Sequence, residues 1–566
     1  MPEAAWASEK SAAGPVSGNG GVADVVKELT LQSNYLNFPV KNGAAKRRMS
    51  LTVDGQIARE FEIELAEGTP DFWVFLDVST FRGKKATVRV ASLNRNSAAL
   101  QAIVQSDTIK GAEGLYQEKH RPQFHFSSRR GWNNDSNGLV FYQGEYHLYY
   151  QHNPYGWNWG NMHWGHAVST DLVHWKELPI ALYPQKFGDW CFSGSAVVDG
   201  DNTAGFKTGA EDVIVAAYTS TGRGECIAYS NDRGRTFTDY PGNPVVTHQG
   251  RDPKVIWYTP GRHWVMAVYD EPAPGPEGRS ASGLRVGEQD KSRGISFYTS
   301  RNLKDWQFGS RIDGFYECPE FFELPVDGHQ DNQRWVVHAA DGNYMIGQFD
   351  GRTFTAESGK HPWSYGDCFY ASQTFNNLPP EDGRRIQIAW GRIATPGMPF
   401  NQCMLFPCEL TLRTTEDGVR MFAEPAREIR RLHQQAYRWT DEALTPDGNV
   451  LAQVNGELFH IRGRFEVGAA SGLDLVIRGV PVAYDAEKQE LSCQGKKAPL
   501  KPAGGTIQLE ILVDRTSIEV FGNQGRVYMP VGVIPADNDK SLQLHARGAG
   551  ARIQSLEVYQ LRSAWE

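Results

Sequence analysis

The sequence predicts an all-β protein, and three observations carry that expectation. Short segments of alternating apolar and polar residues recur along the chain between Gly, Pro and Asn turns, with almost no run of helical period. The 58 Gly, 16 Trp and 22 Tyr among 566 residues suit short strands and tight turns. A hairpin-like pattern, a strand ending in a polar turn and then an aromatic residue, also returns four times over one continuous stretch.

A chain of this length exceeds one ordinary domain, and the pattern divides it. Residues 1–21 hold no basic patch followed by an apolar core, so they are not a signal peptide as written. They read as a flexible tail left after a signal was removed. Residues 22–118 form a small β module, with Arg48–Val53, Glu60–Leu65, Phe72–Leu76 and Ala86–Val90 as alternating strands. Residues 119–424 carry the repeat: AVSTDLVHW ends at Trp175, AYSNDRGRTF at Phe237, FYTSRNLKDW at Trp306 and IGQFDGRTF at Phe354. The spacing of about fifty to seventy residues suits a four-stranded propeller blade with loop insertions. Generic hairpins in a sandwich would give similar turns, but fourfold recurrence favours a propeller. Residues 425–434 (PAREIRRLHQ) read as a short helical linker. Residues 435–566 return to alternating strands, among them LFHIRGRFEV and IQLEILVDRTSIEVFGN, the pattern of a β-sandwich.

Composition excludes several function classes. Lys and Arg number 58 against 66 Asp and Glu, for a formal charge of −8, which argues against nucleic acid or an anionic membrane as partner. No apolar run reaches membrane-spanning length. The seven cysteines are odd in number and scattered, so most are expected as free thiols. His147, His152, His163, His166 and His174 crowd one stretch and invite a metal-site reading. No cysteine or carboxylate completes a zinc set there, however, and core or pocket-rim histidines are expected instead.

Three acidic residues carry the candidate chemistry, each read as lying in a turn beside groups that would orient it. Asp135 sits in GWNNDSNGL, where Asn and Gly permit unusual backbone angles; the plain reading is an Asx turn. Asp252 sits in GRDPKVIW, between an arginine that would hold it ionised and a proline that fixes the chain; exposed Arg-Asp-Pro turns are common. Glu317 sits in FYECPEFFEL, an apolar and aromatic stretch of the kind that raises a carboxyl pKa for general-acid work. Its plain reading is a strand-end glutamate facing solvent, as expected of Glu320 or Glu323.

Taken together and in order, these segments resemble glycoside hydrolase family 32, which includes invertases, inulinases and levanases. The resemblance runs from about Gln123 to the C-terminus. It rests on HFSSRRGWNNDSNGLVFYQGEYHLYYQHNP, WGNMHWGHAVSTDLVHWKELPIAL, FSGSA (192–196), RDP (251–253), ECP (317–319), DCFYASQTF (367–375) and DRTSIEVFGN (514–523). It implies a five-bladed β-propeller followed by a C-terminal β-sandwich. It implies a retaining exo-acting β-fructosidase on levan, inulin or sucrose, with Asp135 as nucleophile, Asp252 as transition-state stabiliser and Glu317 as acid/base. Asn134, Gln151, Trp159, Phe192, Ser193, Arg251, Asp367 and Trp390 match positions that shape the fructosyl pocket. No metal or other cofactor is implied. A fructosyltransferase would carry the same motifs, and a non-catalytic fructan-binding propeller is the third reading. The N-terminal module resembles an accessory domain ahead of some bacterial levanase-like members, which tilts the substrate towards polymeric fructan. A polymer substrate argues for a secreted or periplasmic protein, with a cytoplasmic one left open.

The sequence departs from the family pattern next to the nucleophile. Ser136 stands where Pro is usual, and Asn133 where Met is usual. The change removes a fixed φ and adds a hydroxyl that can hydrogen-bond.

Overall fold

A computed structural model describes residues 22–94, 96–271, 293–468, 472–548 and 550–565; the tail at 1–21 lies outside them. The regular secondary structure of the described chain is almost entirely strand. Helix is confined to short turns such as Ala99–Ala102 and the 3-10 turn Arg427–Leu432, which falls inside the expected linker.

The N-terminal strands form two sheets. One is built from Val22–Thr30, Lys85–Asn94, Arg47–Val53 and Gln56–Ile63, the other from Phe72–Asp77, Tyr35–Val40 and Val104–Ser106. Alternation aims Leu36, Phe38, Phe61, Val74, Val88 and Val90 into a shared core.

Five antiparallel blades follow, each with its first strand innermost. The inner strands are Gly131–Tyr142, Cys191–Asp199, Gly250–Tyr258, Glu320–Val326 and Phe369–Thr374. The aromatic repeat marks the outer edge of the first four blades. Trp175, Phe237, Trp306 and Phe354 each stand at the start of the outermost strand or one residue before it. The turns before them are closed locally: the Ser169, Ser230 and Ser300 hydroxyls accept backbone N–H groups two residues on. The fifth blade turns through Glu416 and Asp417 instead, with no aromatic in that place, so the repeat stops at four.

Among the described residues no two of these inner strands are laddered to each other, and side chains lace them together. Lys254 Nζ lies 2.6 Å from Glu320 Oε1 and donates to Thr374 O at 2.9 Å, tying three inner strands. Glu320 also accepts the Thr374 N–H and hydroxyl at 3.0 and 2.6 Å. Of the two glutamates open to the solvent-facing reading, Glu323 is exposed, whereas Glu320 is fully buried because the inner strand turns it towards Lys254. Asn376 Nδ2 and Gln373 Nε2 bond the carbonyls of Ala196 and Gly194.

The C-terminal strands form a six-stranded and a five-stranded sheet over one apolar core. A buried ionic chain locks this sandwich to the propeller. His125 bonds Asp514 Oδ2 through Nδ1 at 2.7 Å and Glu519 Oε1 through Nε2 at 2.6 Å, and the Tyr528 hydroxyl donates to Glu519. Asp514 further accepts the N–H groups of Gln123 and Phe124. Burial pulls the His125 pKa down, but the Asp514 and Glu519 carboxylates more than offset this and push it up to about 9.

Candidate active site

The candidate residues converge because the inner strands bulge where they carry them. Pairing with the neighbouring strand shifts between Asn133 and Ser136, between Cys191 and Gly194, between Arg251 and Lys254, and between Tyr370 and Gln373. A bulge inserts a residue, twists the strand and re-aims a side chain. Asp135, Phe192 with Ser193, Asp252 and Ala371 are the displaced residues. Asp135 and Asp252 thus lie in strands rather than in the turns expected of them, and only Glu317 sits in a turn, ahead of its strand.

Backbone strain gathers at the same place. Asp252 has φ +68°, Glu317 +57°, Cys318 +43° and Ala371 +45°, all in the left-handed region that costs a residue with a Cβ about 1–3 kcal/mol. The sequence pointed to unusual angles around Asp135, but the positive φ falls on the flanking Gly131 and Gly138. At Gly131 a Cβ would stand 2.2 Å from the Asn153 carbonyl oxygen, so only glycine fits.

The three carboxylates share one donor network. Asp135 accepts from Ser193 Oγ at 2.6 Å and Asn134 Nδ2 at 3.0 Å. Asp252 Oδ2 accepts the Cys318 N–H at 3.1 Å, and its own N–H donates to Thr219 Oγ1 at 2.8 Å. The Cys318 thiol lies 3.5 Å from both Asp135 Oδ2 and Asp252 Oδ2. Arg251 Nη2 donates to Glu317 Oε1 at 2.6 Å, and the Tyr370 hydroxyl to Oε2 at 2.7 Å. Glu317, expected in apolar surroundings, therefore meets an arginine and a phenol.

Desolvation sets the electrostatics. Burial raises the Asp135 carboxyl above the usual range; the Ser193 and Asn134 bonds oppose this, and the Glu317 charge adds to it. Burial pushes Asp252 up to about 7 against the pull of Arg251, with Glu317 and Asp135 adding repulsion. Beneath Asp252, Thr219 donates to Glu225, which accepts from His248. Burial alone would lower the His248 pKa, but the Asp270 and Glu225 carboxylates push it up to about 9.

The other candidate residues divide into groups. Trp390 meets Trp132 and Tyr370 edge to face at 5.9 Å, and Trp132 Nε1 fixes Asn134 at 2.8 Å. Trp159 and Phe192 pack with Trp190 as a half-buried aromatic wall beside Ser193. Gln151 is buried and donates to the Cys191 carbonyl at 2.9 Å. Asp367 does not join the cluster: it is exposed and accepts the Gly532 N–H of the sandwich at 3.0 Å. Sequence reasoning missed Cys318 and Tyr370. Both stood in quoted segments, ECP and DCFYASQTF, but neither a thiol nor a phenol announces a carboxylate partner.

Ser136 is buried, and its hydroxyl donates to the Ile388 carbonyl at 2.8 Å. Of the crowded histidines, His147, His152, His163 and His166 are buried and bonded to one another or to backbone carbonyls, while His174 pairs with Asp171. Among the described residues no group of three or more His, Cys, Asp or Glu side chains could hold a metal ion. A cavity of about 500 Å³ opens at the other end of the inner strands, lined by Asp199, Trp257, Glu323, Trp335 and Arg385. None of the three clustered carboxylates lines it.

Comparison with known proteins decides the family. Residues 125–425 match the family described as "Glycosyl hydrolases family 32 N-terminal domain", and residues 428–560 match "Glycosyl hydrolases family 32 C terminal". The chain belongs to glycosyl hydrolase family 32. Residues 21–125 match a "Domain of unknown function (DUF4980)". The levanase of Bacillus subtilis (strain 168) is 39% identical over 506 residues, covering 80% of this chain and 72% of that protein. The extracellular exo-inulinase of Aspergillus ficuum is 29% identical, covering 80% and 96%. Among solved structures, exo-inulinase from Aspergillus awamori superposes with a TM-score of 0.68 at 28% identity, covering 80% of this chain and all of that one. The glycoside hydrolase fold is thus a five-bladed propeller with a C-terminal sandwich, preceded here by the β module.

Proposed function

We propose that the chain is a retaining, exo-acting β-fructosidase that hydrolyses terminal β-D-fructofuranosyl residues of levan, inulin or sucrose. The observation that carries this reading is the convergence of three carboxylates, two from inner strands and one from the turn before another, with Cys318 within 3.5 Å of two of them and Arg251 bonded to the third. Asp135 attacks the anomeric carbon of the terminal fructosyl unit while Glu317 protonates the departing glycosidic oxygen. The C–O bond breaks, and the fructosyl group is held as an ester on Asp135. Glu317, now a carboxylate, takes a proton from water, which attacks the same carbon and frees fructose with retained configuration. Asp252 accepts hydrogen bonds from sugar hydroxyls that tighten as oxocarbenium charge develops. Arg251 and Tyr370 hold both oxygens of Glu317 in place. Trp390, Asn134, Gln151, Phe192 and Ser193 shape the pocket, and Trp159 offers a ring face to the sugar.

The relatives named a levanase and an extracellular exo-inulinase support fructan as substrate and a location outside the cell. Among the described residues no helix is long and apolar enough to cross a membrane. Product analysis on levan, inulin and sucrose, with NMR at the first time points, tests the reading. Free β-fructofuranose as first product is expected. Oligosaccharides or the α-anomer as first product would contradict it.

A further inference from the structure

The aromatic wall beside Ser193 is carried by two loops, residues 154–161 with Trp159 and residues 183–190 with Trp190. Both are gripped from outside by the N-terminal module. Tyr155 stacks on Phe61 with centroids 3.6 Å apart and planes 16° from parallel, and it is buried in the module's own core. Trp157 packs against that core as well. The Asn161 side chain, at φ +41°, pairs with the Glu62 backbone like one rung of a sheet: Glu62 N–H donates to Oδ1 and Nδ2 donates to Glu62 O, each at 2.8 Å. On the second loop, the Arg59 guanidinium lies 3.7 Å from the Tyr183 ring centroid and that of Arg48 4.2 Å from Phe187.

We propose that the N-terminal module is a positioning element of the substrate pocket, clamping both loops so that Trp159 and Trp190 present a fixed wall to the sugar. The idea rests on the reading of the pocket given above. Loops ordered by their own contacts alone sample several conformations, and a ring platform contributes to binding only when ordering it is prepaid. The module supplies that order through one stacked ring, one paired amide and two cation–π contacts. Asp135 and Asp252 stand on inner strands and Glu317 in the turn before one, whereas the contacts just described fall on the two loops, so the clamp acts on binding rather than on bond breaking.

The test uses the full chain with Phe61→Ala, and separately the surface double variant Arg48→Ala/Arg59→Ala, which leaves the module core intact. Hydrogen exchange is expected to quicken at 154–161 in Phe61→Ala and at 183–190 in the double variant, with the inner strands unchanged. KM on fructan is expected to rise about threefold to tenfold while kcat changes less than about twofold, the mark of lost binding rather than lost chemistry. Unchanged exchange in both loops would overturn the clamp. Faster exchange with unchanged KM would reduce the module to a stabilising appendage and overturn the positioning role. Parent enzyme inactive on every fructan would sink the reading of the pocket, and the exchange data would still decide the clamp.

Discussion

Asp252 is held in a site that resists its charge, and replacing it with asparagine has a calculable consequence. Burial lifts its pKa from 3.8 to about 7. At 1.36 kcal/mol per unit, keeping it ionised costs the fold about 4 kcal/mol relative to the unfolded chain. Because the folded pKa is the higher, the cost is absent below pH 3.8, grows as pH rises and is complete above about 7. Asp252→Asn keeps an acceptor for the Cys318 N–H and leaves Arg251 paired with Glu317. The variant should gain up to about 4 kcal/mol near pH 8 and almost nothing near pH 4, while kcat/KM falls at least about 10²–10³-fold. Urea-unfolding midpoints across that pH range, paired with initial rates, measure both effects. A gain of equal size at both ends, or none, would refute the argument that this carboxylate is destabilised for its task.

Three further variants probe other parts of the account. Glu317→Gln should lower kcat/KM on sucrose and fructan far more than on an activated aryl fructoside, whose leaving group needs no proton in the first step; equal losses in kcat/KM would argue against an acid/base role. Ser136→Pro restores the family's usual residue but deletes the hydroxyl bonded to Ile388, so a loss of about 1 kcal/mol is expected, read as a lower melting temperature. A higher one would mean that reduced chain entropy outweighs that bond. His125→Gln leaves Asp514 and Glu519 buried without a cation and should cost about 3–5 kcal/mol. Since the His125 pKa is raised from 6.5 to about 9, the parent's advantage is full below pH 6.5 and fades as pH rises through about 9. A pH-independent difference would count against that lock.

The fold class was legible because its signals are local. Period-two alternation marked strands such as Arg47–Val53 and Phe72–Asp77, and the turn with its following aromatic marked blade edges at Trp175, Phe237, Trp306 and Phe354. The first two N-terminal strands went unread: Val22–Thr30 and Tyr35–Val40 lack clear alternation, the latter showing five buried residues in a row. The carboxylates could be named through resemblance, but their setting could not. Bulges at Asp135 and Asp252 are shifts of register against the next strand of the hairpin, which alternation does not specify, and Glu320 looked like a surface residue until Lys254 and Thr374 arrived from other blades. The same holds for Asp514 and Glu519, quoted within one sandwich motif, whose partner His125 stands 389 residues away from Asp514.

The central claim is that Asp135 forms a covalent bond to the fructosyl unit. Glu317→Gln mixed with an activated aryl fructoside should accumulate the intermediate, since its formation needs no acid and its hydrolysis lacks a base. Acid quenching, proteolysis and peptide mass mapping then locate the adduct. The account predicts one fructosyl group, on the peptide containing Asp135 and lost when Asp135 is replaced by alanine. An adduct on Asp252 or another side chain, or rapid turnover with inverted product and no adduct, would contradict it.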